Sequence, residues 1–145
     1  MGAAATLRSA AEYQVFDKLV VDASFSSVKN LVLETKFCFL GPLATSAWSI
    51  SRLWFYTYVG KDIEGYAPED DIARISKPIF LIHGTSDAII PHTESYRLRA
   101  AANPGTRVWL VDGAGHSSSF HHPDYSKRIL DFFERGQVVN DTAKR

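Results

Sequence analysis

Lys77-Pro78-Ile79-Phe80-Leu81-Ile82-His83-Gly84-Thr85-Ser86-Asp87-Ala88-Ile89-Ile90-Pro91 is the stretch that decides the fold. A short run apolar on both faces reads as a strand in a parallel sheet covered by helices on both sides. It runs into a loop that carries Asp87, and Pro91 opens the next helix. Residues 107–119, Arg-Val-Trp-Leu-Val-Asp-Gly-Ala-Gly-His-Ser-Ser-Ser, repeat the pattern: an apolar strand, then a glycine turn, here carrying His116. The interval between Asp87 and His116 holds one helix and one strand. An acid and a histidine therefore follow successive strands.

The same reading extends outward. Residues 2–14 are alanine-rich and favour helix. Leu19-Val20-Val21 reads as another buried strand, and residues 23–27 as the loop after it. From 28 to about 60 the spacing is helical, broken by Gly41-Pro42, and unusually aromatic, with Phe37, Phe39, Trp48, Trp54, Phe55, Tyr56 and Tyr58. Pro68-Glu69-Asp70-Asp71 opens a short helix, with its carboxylates where the helix dipole favours them. Thr93 is positioned to cap a helix ended by Asn103-Pro104-Gly105. Residues 123–135 form a last helix with Ile129, Leu130, Phe132 and Phe133 on its apolar side, and 136–145 read as a polar, flexible tail. Strands alternating with helices predict an α/β fold with a parallel sheet.

Composition narrows the function classes. The 145 residues suffice for one domain, and 46% hydrophobic with 22% charged residues is the balance of an ordinary soluble globular protein. Sixteen basic residues against sixteen acidic ones leave no net charge. This predicts neither nucleic-acid nor membrane-surface binding. The single cysteine, Cys38, makes no internal disulfide and fits a reducing, cytoplasmic setting. No secretory signal is evident. The longest apolar stretch, 37–50, is shorter than the roughly 20 residues of a bilayer span and contains Gly41 and Pro42. Met1-Gly2-x-x-x-Thr6 matches the short myristoylation pattern, which small residues at a helix start also satisfy.

Chemically, Asp87 and His116 suit acyl transfer. There a serine attacks, a histidine takes its proton, and a carboxylate fixes the histidine tautomer and stabilises the imidazolium. His121 and His122 lie beyond His116 and read as rim residues. No carboxylate stands at metal-ligand spacing beside them, so neither metal nor cofactor is expected. Ser117, Ser118 and Ser119 are too close to His116 in sequence to approach it as a nucleophile. Ser86 adjoins the acid, Ser24 and Ser26 follow a different strand, and Cys38 lies in the aromatic segment.

The His83-Gly84-x-x-Asp87-x-x-x-Pro91 run and the Gly113-x-Gly115-His116 turn together resemble the C-terminal half of α/β hydrolases. The branch is that of esterases, serine aminopeptidase-like and prolyl-oligopeptidase-like enzymes. The resemblance covers nearly the whole chain, as a partial domain over 1–145. It implies Asp87 as triad acid and His116 as general base. Asp22 is a second candidate acid, because some members place theirs after the preceding strand. Met1-Gly2-Ala3-Ala4 looks like the second half of a G-x-S-x-G elbow. Met1 would then hold the oxyanion-hole N–H, and Gly2 would be the closing glycine, where packing leaves no room for a side chain. The other reading is a plain chain start followed by a helix.

On the elbow reading the serine lies upstream of Met1; the resemblance implies an eight-stranded sheet, of which the chain supplies the last three strands. The segment 28–66 falls where this family inserts a helical lid; aromatic core packing is the alternative reading. The implied function is cleavage of a small-molecule ester or peptide-like amide. The alternative is an inactive hydrolase-fold fragment serving as a binding or assembly module. Strand 19–21 would be an exposed apolar edge, open to the missing N-terminal half or to self-association.

Overall fold

Three parallel strands in the order β1-β2-β3 form the sheet. The computed structural model describes residues 2–34 and 42–135. Phe37, Phe39, Cys38, Met1 and the 136–145 tail fall outside the described residues. In chain order the elements are α1 (Gly2–Tyr13), β1 (Leu19–Asp22), α2 (Val28–Glu34), α3 (Pro42–Val59), α4 (Pro68–Ala73), β2 (Ile79–Gly84), α5 (Thr93–Ala101), β3 (Arg107–Val111) and α6 (Tyr125–Arg135). Short 3-10 turns occupy Ile63–Gly65 and Ser119–His121.

Strand β2 is buried along its whole length because it is central and covered on both faces. Leu19 pairs with Ile79 and Asp22 with Ile82; Ile82 pairs with Trp109 on the other side. Period-two alternation then divides the strand side chains between two cores. Leu19, Val21, Ile79 and Leu81 join Leu7, Ala10, Ile72 and Leu98 of α1, α4 and α5. Phe80, Ile82, Trp109 and Val111 pack with Phe132 of α6. The result is helix, sheet, helix, with His83 facing α5 and Asp22 facing α6.

Polar contacts fix the helices. Asp71 in the first turn of α4 is buried and paired with Arg8 of α1, at 3.2 Å, and with Arg74. Glu94 is buried at the start of α5, where it accepts from the N–H and hydroxyl of Ser26, both at 2.7 Å, and from Arg97 at 2.5 Å. Lys18 caps the far end of α6, donating to the Phe132 carbonyl at 3.1 Å.

At three points the structure corrects or adds to the sequence reading. Thr93 is the first helical residue of α5, and the capping position belongs to His92, which makes no side-chain cap bond. The apolar stripe of α6 is only half covered. Phe132 is fully buried, but Leu130 and Phe133 are 58% and 47% exposed, because the sheet reaches one side of the helix. The aromatic segment is not core packing over most of α3. Trp48 is buried, whereas Ile50, Leu53, Trp54, Tyr56 and Tyr58 are exposed. The helix rests on α2 and the 63–65 turn rather than on the sheet.

Candidate active site

The loops after β2 and β3 are stitched together backbone to backbone. The Thr85 N–H donates to the Val111 carbonyl at 3.0 Å, and the Ser86 N–H to the Ala114 carbonyl at 2.9 Å. The Thr85 hydroxyl accepts from the Gly113 N–H at 2.8 Å. Gly84 lets the strands' ends approach this closely. A Cβ there would stand 2.2 Å from the Ala114 oxygen and 2.8 Å from that of Gly115, both backbone atoms that cannot swing aside. Gly113, at φ +69°, supplies the left-handed turn.

This stitching brings Asp87 to His116. His116 Nδ1–H donates to Asp87 Oδ2 at 2.8 Å. The other carboxylate oxygen accepts from the Ile89 and Ile90 N–H groups, at 2.8 and 2.9 Å. The Asp87 side chain is wholly shielded, whereas that of His116 is 32% exposed. Burial alone pushes the Asp87 carboxyl up. The Ile90 N–H, the His116 imidazole and the Ile89 N–H outweigh it together and hold the carboxyl below its ordinary range. An ionised, oriented carboxylate behind Nδ1 leaves Nε2 as the ring's proton acceptor.

His83, quoted in the sequence motif without a role of its own, braces this acid loop. It is fully buried, with Nε2 3.0 Å from the Ile90 carbonyl and 3.3 Å from Asp87 Oδ2. A carbonyl only accepts, so Nε2 carries the proton; in the neutral ring Nδ1 then accepts from the Ser95 hydroxyl at 2.7 Å. The histidine thereby ties Ile90 to α5. The motif holds the signal for this role, but the contact to Ser95 depends on where α5 packs.

Asp22 is not placed as an alternative acid for His116. Its carboxylate accepts from the Ser119 hydroxyl at 3.2 Å and from the Tyr125 hydroxyl at 3.4 Å. The reason is alternation along β1, which turns Asp22 to the α6 face of the sheet. Burial holds its carboxyl above the ordinary range, against the hydrogen bond from Ser119, the His83 ring, the Tyr125 bond and the His116 ring. The Tyr125 hydroxyl is pushed up in turn, by burial and by the Asp22 charge.

The remaining residues are accounted for singly. Gly2 opens α1 and accepts from the Thr6 hydroxyl at 3.0 Å. A Cβ on Gly2 would meet nothing within 4 Å, so no packing among the described residues requires glycine there. Met1 lies outside those residues. His122 sets its ring edge-on to Trp109, and the His121 ring lies tilted against that of Phe120. Ser118 donates to the His116 carbonyl, Ser24 to that of Phe25, and Ser26 to Glu94. Among the described residues no cluster of His, Cys, Asp and Glu is arranged to hold a metal. None of their helices is long and apolar enough to cross a membrane. A mostly apolar cavity of about 510 Å³ opens between α1, α3 and α4, lined by Ala4, Arg8, Phe25, Val28, Phe55 and Tyr66 among others, but not by Asp87 or His116.

Comparison with known proteins extends this geometry. Residues 27–123 match the profile of the alpha/beta hydrolase fold. The uncharacterized protein YfhR of Escherichia coli (strain K12) is 34% identical over 73 residues, covering 48% of this chain and 26% of that protein. Alpha/beta hydrolase domain-containing protein 17B of Homo sapiens is 32% identical over 72 residues, covering 49% and 24%. The chain thus spans about a quarter of the length of the curated relatives it matches. Among solved structures, a puromycin-hydrolyzing peptidase of Mycobacterium tuberculosis superposes with TM-score 0.66 at 19% identity, over 96% of this chain and 21% of that one. The esterase Pf2001 of Pyrococcus furiosus gives 0.62 at 19%, over 92% and 49%. At such identities the likeness is one of fold. With the profile match covering more than half of its residues, the chain belongs to the alpha/beta hydrolase family.

Proposed function

We propose that this chain carries the acid and base of a serine-type hydrolase of carboxylic esters or peptide-like amides. The observation that supports the reading is the 2.8 Å hydrogen bond from His116 Nδ1 to the shielded Asp87 carboxylate, at the carboxyl ends of neighbouring parallel strands. In the proposed reaction, His116 Nε2 takes the proton of a serine hydroxyl supplied from ahead of residue 1. The serine oxygen bonds to the substrate carbonyl carbon. The imidazolium, paired with Asp87, then gives the proton to the leaving alcohol or amine as its bond to carbon breaks. Water repeats the sequence to release the acid, with His116 again as base. Met1 and Gly2 would complete the turn behind the serine, with the Met1 N–H facing the oxyanion. The esterase and peptidase among the fold's neighbours act on bonds of this class.

The edge of β1 supports a second reading. Among the described residues β1 pairs only with β2, which leaves one row of its backbone groups open. On this reading the chain is an assembly module that accepts a strand from another polypeptide or a second copy.

Labelling with a fluorophosphonate separates the two. A form extended upstream through a Gly-x-Ser segment is expected to label and to hydrolyse a p-nitrophenyl ester. His116→Gln should then lower kcat by about 10³-fold or more. Labelling of the extended form that is indifferent to His116→Gln would contradict the hydrolase reading. Absence of labelling, with stable strand capture by the 145-residue chain, would favour the module.

A further inference from the structure

We propose that Asp22 is a positioning residue for His116, its carboxylate tying the connection between His116 and α6 to the end of β1. The proposal rests on the hydrolase reading of Asp87 and His116 and adds a residue to that site. Asp87 holds the histidine from one side only, through Nδ1. The chain beyond His116 passes through Ser117, a non-glycine residue at φ +50°, before the 119–121 turn. A left-handed L-residue costs conformational energy, so the surrounding contacts must hold this turn in place.

Asp22 supplies such contacts at both ends of the connection. Ser119, fully buried, starts the 3-10 turn and donates to Oδ1; Tyr125, the first residue of α6, donates to Oδ2. Each donor is distant in sequence from Asp22, so the carboxylate closes a long-range link that no local turn provides. The residue after Asp22 is itself left-handed, Ala23 at φ +52°, pinned by its N–H to the Ile82 carbonyl at 3.0 Å. One left-handed residue thus follows Asp22 directly, and the other lies between His116 and Ser119. A carboxylate kept in a half-buried position where burial disfavours its charge fits a residue retained for geometry rather than for stability.

The test reads exchange of the His116 Nδ1 proton with water, by low-temperature NMR of the histidine-labelled full chain, beside its urea midpoint. Asp22→Ala and the double variant Ser119→Ala/Tyr125→Phe are each expected to speed exchange about tenfold, the scale of one hydrogen bond to a charged acceptor. Combining all three substitutions should add nothing, because they remove the same link. Asp22→Asn, which keeps one accepting oxygen, should fall between wild type and Asp22→Ala.

Unchanged exchange in both Asp22→Ala and the double variant would overturn the proposal. So would exchange that only tracks the urea midpoint. If Asp22→Ala does not fold, the double variant, which leaves the carboxylate in place, decides alone. Asp87→Ala separates the two levels. If it abolishes a protected Nδ1 proton while the Asp22 set changes nothing, only the Asp22 role falls. If wild type has no such proton, the dyad falls and the Asp22 role with it.

Discussion

Asp22 and Asp87 stand at the carboxyl ends of neighbouring strands, and their surroundings shift the two carboxyls in opposite directions. Asp87, beyond β2, collects two backbone N–H groups and an imidazole, which together outweigh burial and keep it ionised. Asp22, at the end of β1, receives two hydroxyls at longer range, and burial prevails. Position after a strand therefore does not by itself make a triad acid. The number and kind of donors that the loop brings to the carboxylate set the direction of its shift, and where those donors come from sets what it can orient.

The largest way to break this contrast is Asp87→Asn in a form of the protein that hydrolyses esters. An amide in place of the carboxylate can stabilise the wrong imidazole tautomer, and kcat should fall about 10⁴-fold while KM changes little. Steady-state kinetics check it; a loss below tenfold would make Asp87 dispensable.

Next in size is Gly84→Ala. Its Cβ would collide with the backbone oxygens of Ala114 and Gly115, prising the acid loop from the histidine turn. A cost at the upper end of about 1–3 kcal/mol is expected in urea unfolding, along with loss of the Asp87–His116 bond.

The pH dependence of stability sharpens the comparison by sign. A depressed folded pKa means that Asp87 contributes stability above the ordinary carboxylate value, about pH 4, and loses it as pH falls through the folded value. The advantage of wild type over Asp87→Asn should therefore shrink on acidification. Asp22, with its folded pKa raised, contributes fully below about pH 4, and that contribution is lost as pH rises through the folded value. Wild type should lose ground to Asp22→Asn across that rise. Urea midpoints measured in parallel over the acid range report both slopes; slopes of the same sign would erase the contrast.

The smallest expected effect is that of Asp22→Asn on global stability at pH 7, about 1 kcal/mol or less, because one accepting oxygen remains and a disfavoured charge is removed. A loss well beyond that would make Asp22 a structural anchor instead.

The sequence was most legible where one short run carried both strand and loop. Residues 79–84 and 107–111 are apolar enough to be strands before any contact is known, and Asp87 and His116 follow them directly. What it hid depended on placement in three dimensions. Nothing local to Asp22 announces Ser119 and Tyr125, which meet it only because β1 alternation and the seat of α6 coincide. Likewise Leu130 and Phe133 belong to an apolar stripe that the sheet covers only in part. The α3 aromatics follow the same rule: helical spacing was readable, but their exposure depends on a helix that rests on α2 and a turn rather than on the sheet.

The most direct test of the central claim is the tautomer of His116, read by long-range proton–nitrogen NMR correlation at a pH where the ring is neutral. The account predicts the proton on Nδ1, facing Asp87, with Nε2 unprotonated and ready to accept. A proton found on Nε2 instead would contradict the assignment of Asp87 and His116 as acid and base.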